Sequence, residues 1–163
     1  MKKLICIFLS LSLLLIFCSC KRQEQNIIKP VNFYYRTVPV AYGTGASIIK
    51  AEVREFTGYS NDYAYLIEQY LNGPRQYSII SPFPAGTTLE EFSLSGSKAQ
   101  ILLSPHMSVL SGSELMVACA CLSKTVIELT GINAVQISIE NGLINNQKSI
   151  TVTADSFAYW DIA

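Results

Sequence analysis

Leu4 to Phe17 is a run of apolar residues broken only by Ser10 and Ser12, with Lys2-Lys3 before it and Cys18-Ser19-Cys20-Lys21-Arg22 after it. No other feature limits the fold as strongly. The run is too short to span a bilayer, which takes about 20 apolar residues. Two lysines followed by an apolar stretch are instead the positive start and hydrophobic centre of a secretory signal. Whatever folds into a globular core therefore lies beyond it.

A small residue directly before a cysteine, at the end of such a run, is what lipoprotein-processing enzymes read, and Ser19-Cys20 resembles a bacterial lipobox. Cys18 does not fit, because bulky Phe17 stands where the peptidase requires a small side chain. Residues 1–19 are thus expected to form a lipoprotein signal peptide and Cys20 to carry the lipid. An ordinary signal peptide or an uncleaved anchor is the alternative. Each buried methylene contributes about 0.8 kcal/mol, so a multiply acylated cysteine anchors stably. The mature chain would then run from 20 to 163 on the outer face of a membrane, with residues 20–30 as a polar tether reaching about 30 Å if extended.

The length that remains suits one domain. The chain carries 12 basic and 12 acidic residues, and loss of Lys2 and Lys3 with the signal leaves 10 against 12. No basic stripe points to nucleic acid. Of the five cysteines, Cys6 and Cys18 leave with the signal and Cys20 is acylated, so Cys119 and Cys121 remain. They fall in a predicted helix, where positions two apart diverge and do not readily bridge. Packing as small apolar residues is the expectation.

Past the tether the periodicities are clear. Val31, Phe33 and Tyr35 alternate with polar or tyrosyl positions, and Ile49, Ala51 and Val53 alternate with Lys50, Glu52 and Arg54, the period of half-buried strands. A helix starts near Ser60-Asn61, repeats Tyr63, Leu66, Ile67, Tyr70 and Leu71 at helical spacing, and stops at Gly73-Pro74. Leu89–Leu94 and Lys98–Leu103 form a hairpin about Ser95-Gly96-Ser97. Ser111-Gly112-Ser113-Glu114 reads as a capping box opening a long helix. Leu115, Ala118, Cys119, Leu122, Val126 and Leu129 mark that helix's buried face, and Gly131 its left-handed cap. Val135, Ile137 and Ile139 make a strand ending at Asn141-Gly142, and Ile150, Val152 and Ala154 suggest one more before a loose end. Two helices packed on one face of a mixed β-sheet, an α+β two-layer sandwich, would bury both apolar stripes.

Asn32-Phe33-Tyr34-Tyr35, Ile49 to Glu55, Tyr70-Leu71-Asn72-Gly73-Pro74, Phe83-Pro84-Ala85-Gly86-Thr87, and Thr125 to Gly131 leading into Ala134 to Gly142 occur in that order. Together they resemble the GerMN domain of sporulation and spore germination lipoproteins, over residues 31–142, with 143–163 as a C-terminal strand extension. The namesake germination proteins are similar in having two such domains, and this chain has one. The resemblance implies a binding or scaffolding module similar in fold to ring-building domains, with Gly73, Pro74, Thr125 and Gly131 as structural marks. It also implies envelope or sporulation proteins as partners.

Catalysis finds little support in the residues. His106 is the one histidine, in a loop with Ser104 and Ser108 nearby but no nucleophile-elbow pattern around either. Glu90-Glu91 and the pair Glu52 and Glu55 diverge on their strands and read as solvated edges. No zinc-ligand cluster or phosphate loop is legible, so no metal or cofactor is expected. Tyrosines crowd the first helix beyond what one buried stripe needs. Tyr63 and Tyr70 suit the core, whereas Tyr59, Tyr65 and Tyr77 are candidates for an exposed surface that takes a protein partner. The alternative is a glycan-binding accessory that holds peptidoglycan or regulates a wall hydrolase.

Overall fold

Alternating apolar residues build the first strand, and a computed structural model of the chain, which describes residues 28–38, 47–57 and 62–159, shows what that strand packs against. The signal, Cys20, the Gly43–Gly45 loop, Tyr59 and the Ser60-Asn61 helix start lie outside the described residues. In chain order the elements are β1 (Ile28–Thr37), β2 (Ile49–Thr57), α1 (Tyr63–Leu71), β3 (Ile79–Ile80), β4 (Leu89–Ser95), β5 (Lys98–Leu103), α2 (Gly112–Thr130), β6 (Ala134–Ile139) and β7 (Ser149–Thr153). Short 3-10 turns follow β5 at Pro105–Val109 and β7 at Ala154–Tyr159. β1 begins three residues before the alternation that announces it, at Ile28 opposite Thr57.

The class is α+β, as the pattern of elements implies, but the strands form two sheets rather than one. The first has the order β2-β1-β3 and is antiparallel; the second has the order β4-β5-β6-β7, with β5 and β6 parallel and the outer pairs antiparallel. The division follows from what borders the other side of β1. On the side of β1 away from β2, only Arg36 and Thr37 find a strand partner, in β3. Further along that side the Tyr34 N–H donates to Thr125 Oγ1 of α2 at 3.0 Å. A helix side chain thus occupies the edge where a further strand would pair.

α2 consequently touches β1 of one sheet and β6 and β7 of the other. Its burial reflects this double duty, because Ala118, Leu122 and Val126 are buried along the expected stripe while Cys121 and Thr125 are buried beside it. Cys119 and Cys121 are both buried and unbridged. Gly131 takes φ +71° and donates its N–H to the Ile127 carbonyl at 2.8 Å, the expected left-handed cap. The other end departs from the capping-box expectation: Ser111 is the N-cap, but its side chain makes no capping bond. Gly112, next to it, has φ +54°, and this left-handed step swings the chain into the helix on a path that a serine-first box does not follow. In α1 the cap is Asp62, which accepts from the Tyr65 N–H at 3.0 Å.

β2 departs from expectation in phase. Its alternation is real, yet Glu52 and Arg54 are 2% and 5% exposed, while Val53 is 59% exposed. In the register with β1, Glu52 lies opposite Phe33 and Arg54 opposite Val31, so both charged residues share the core face. Ile49, Ala51 and Val53 form the outward face. After β7 the described chain still contributes to the interior, since Phe157 in the last 3-10 turn is buried.

Candidate functional site

The two buried charges organise the first half of the domain. Arg54 donates from Nε to Glu52 Oε1 at 2.9 Å, from Nη1 to the Gln69 carbonyl at 3.0 Å, and from Nη2 to the Gly73 carbonyl at 2.6 Å and Tyr35 Oη at 3.1 Å. A cation thus sits on the carbonyl-bearing end of α1, where the helix dipole favours it. Glu52 also accepts from the Arg75 N–H at 3.0 Å. Burial pushes the Glu52 carboxyl up, but hydrogen bonds from Arg54 and from the Arg75 and Gln76 N–H groups outweigh it and hold the group below the usual carboxylate range. The Tyr35 hydroxyl donates to the Tyr70 carbonyl at 2.8 Å, and the Tyr70 hydroxyl donates to the Tyr34 carbonyl at 2.7 Å. Burial raises both phenols well above their ordinary values. Gly73 and Pro74 are therefore the turn that brings helix carbonyls onto Arg54, with Gly73 at φ +91°.

This network corrects the reading of Glu52 as a solvated edge residue. Its phase was hidden because a strand alternating apolar and charged residues buries the apolar set by default, and here the charged set is satisfied internally. An arginine and a glutamate two apart on one strand face were the available signal.

On the opposite face of the same sheet Val53 and Ile80 are exposed, and Ile49 and Ala51 are half-buried. Register places Ile49, Ala51 and Val53 beside Asn32, Tyr34 and Arg36, with Ile80 of β3 next to Arg36. Asn32 Nδ2 and the Tyr34 hydroxyl both donate to the Glu128 carboxylate, the latter at 2.5 Å, and Lys124 Nζ lies 5.0 Å from the centre of the Tyr34 ring. This face is thus apolar on the outer strands β2 and β3 and polar along the central β1, which α2 borders.

The candidate tyrosines are dispersed. Tyr77 is fully exposed, Tyr65 is half-buried and meets Phe56 edge-on at 6.3 Å, and Tyr59 lies outside the described residues. Tyr70 is buried, and Tyr63 is half-buried against Phe92. His106 is exposed, and its Nδ1 lies 3.3 Å from Ser104 Oγ. That serine is buried and accepts the Thr88 N–H at 3.0 Å, so the pair holds a turn together. Glu90 and Glu91 are exposed at a bulge in β4. Among the described residues no three of His, Cys, Asp and Glu cluster closely enough to hold a metal ion.

A domain with two sheets joined through one long helix is the fold that this chain shares with solved GerMN domains. The chain belongs to the Germane family, described as sporulation and spore germination, whose profile matches residues 32–144. Among solved structures it is similar to a candidate lipoprotein from Clostridium perfringens, with 20% identity over 79% of this chain and 89% of that one and a TM-score of 0.51. It is also similar to the tandem GerMN domains of the sporulation protein GerM from Bacillus subtilis, with 11% identity, 80% of this chain, 47% of that one and a TM-score of 0.58. This chain therefore spans about half of that tandem. Comparison with curated proteins gives no match.

Proposed function

We propose that this chain is an extracytoplasmic lipoprotein, anchored through Cys20 to the outer face of a bacterial membrane, whose GerMN-like domain is a non-catalytic scaffold for other envelope proteins in sporulation, germination or envelope assembly. The observation that carries this reading is the outward face of the three-stranded sheet. Val53 is 59% and Ile80 39% exposed on its outer strands β2 and β3, on either side of the polar Asn32, Tyr34 and Arg36 of β1. Exposed apolar side chains interleaved with polar and aromatic ones match the composition of a non-obligate protein interface. Tyr77, Tyr65 and Tyr59 remain candidate aromatic contacts for a partner, with no common surface assigned to them.

The anchor is supported by the Ser19-Cys20 motif and by the shared fold of the clostridial candidate lipoprotein. No helix among the described residues is long and apolar enough to cross a membrane. A tether concentrates partners in a thin layer, so weak contacts suffice. The glycan reading would want an exposed aromatic groove. A groove of about 320 Å³ beside Pro82-Phe83-Pro84 has its ring, Phe83, buried, which favours the protein-binding reading.

A crosslinking pull-down of the tagged full chain from intact cells, in growth and in starvation, tests the proposal. Wild type is expected to capture envelope or sporulation proteins, and Ile80→Lys to lose them at unchanged melting temperature. Recovery of wall hydrolases with glycan fragments would replace the scaffold reading with the accessory one.

A further inference from the structure

β2 is the outermost strand of its sheet among the described residues, and it pairs with β1 without a register break from Arg36↔Ile49 to Ile28↔Thr57. The direction of its outer hydrogen-bonding groups follows from β1. Tyr34 sends its N–H to Thr125 Oγ1 and its carbonyl to the Tyr70 hydroxyl, both away from β2. Tyr34 and its partner Ala51 are thus a non-hydrogen-bonded pair, and the Thr37 N–H bond to the Ile48 carbonyl at 2.9 Å fits the same alternation. Ala51, Val53, Glu55 and Thr57 therefore turn their N–H and C=O groups to the free edge. Those of Ile49 face the same way, where the Ser47 hydroxyl bonds them.

We propose that this edge pairs with the β2 of a second copy, antiparallel and centred on Val53, joining two three-stranded sheets into one continuous sheet. The side chains select that register. With Val53 opposite Val53, Ala51 faces Glu55, Glu52 faces Arg54 of the other copy, and the unsatisfied edge groups at 51, 53 and 55 all find partners. Centring one residue earlier sets Glu52 against Glu52 and Lys50 against Arg54. Centring one residue later sets Arg54 against Arg54. Like charges directly opposite are destabilising and opposite charges favourable. Glu52 and Arg54, buried on the core face, would meet like charges in the neighbouring registers and so leave one open. The contact is two-fold and closes at two copies. It extends the scaffold reading by naming one partner of the same sheet, and it uses the edge rather than the face that Ile80 tests.

Cysteine substitution in the purified full-length chain in detergent micelles, under mild oxidation on a non-reducing gel, tests the register. Directly opposite hydrogen-bonded residues have Cα atoms about 5.5 Å apart, within the range of a disulfide of about 4.4–6.8 Å. Val53→Cys is expected to shift to twice the monomer mass. Ala51→Cys alone lies about 14 Å from its counterpart and is expected to match wild type, whereas Ala51→Cys with Glu55→Cys in one chain is expected to dimerise. Wild type sets the background from the natural cysteines, of which Cys119 and Cys121 are buried. Val53 is exposed, so its replacement leaves the core intact. Equal dimer from Val53→Cys and Ala51→Cys, or none above wild type, would overturn the proposal, while loss of envelope capture by Ile80→Lys would be unaffected by that outcome.

Discussion

Arg54 is a full charge held inside the domain, and its worth depends on the company it keeps. Its guanidinium satisfies Glu52, two helix-end carbonyls and the Tyr35 hydroxyl, and lies 5.0 Å from the centre of the Phe33 ring. Removing one member of a buried pair leaves the other charge without compensation and costs about 3–5 kcal/mol. Arg54→Leu is expected to lose stability of that order in urea denaturation, and Glu52→Leu with Arg54→Leu less than the sum of the single changes. The Glu52 carboxyl is depressed in the folded state relative to an unfolded value of about 4.3. Its contribution is therefore complete above that value and lost as pH falls through the lower folded one. A stability profile of wild type against Glu52→Gln should show the difference shrinking below about pH 4. A difference that stays constant into acid would count against the ion pair as its source.

Among the elements, α2 decides how the strands divide. Thr125 is fully buried and accepts the Tyr34 N–H on the side of β1 away from β2. Thr125→Val keeps the shape and removes the acceptor of this bond, at a cost of about 1 kcal/mol. Faster hydrogen exchange at the Tyr34 amide, with β6 amides unchanged under native conditions, is the expected signature. Gly131 acts through conformation alone, because a Cβ there meets nothing within 4 Å. Gly131→Ala is expected to cost about 1 kcal/mol from its left-handed backbone, read as a lower denaturation midpoint with unchanged slope.

For the whole molecule, one helix joins two sheets, which predicts that they unfold together. Cys119 and Cys121 report on this from the interior of α2. Burial pushes their thiols up to about 11 and about 12, so little thiolate exists at neutral pH. Alkylation mapped by mass spectrometry across a urea series should show both residues becoming reactive at the same midpoint as the loss of helix signal. Reaction of either one at lower urea would show that part of the molecule opens independently.

Much of this was legible along the chain because the information is local. Val135, Ile137 and Ile139 alternate and are buried, Leu66, Ile67 and Tyr70 recur at helical spacing and are buried, and Gly131 stands at its left-handed cap. Each follows from the geometry of one element. The phase of β2 and the split into two sheets are not local properties. Alternation in β2 specifies two faces but not which one is inside, and that choice rests on whether the carbonyls of Gln69 and Gly73, fifteen and nineteen residues from Arg54, arrive to satisfy the guanidinium. Likewise, nothing near Tyr34 in the chain announces that its N–H bonds to Thr125, ninety-one residues away. Periodicity thus settled most of the elements that form, while long-range hydrogen bonds to buried charges and strand edges settled how they assemble and which face of β2 stayed outward.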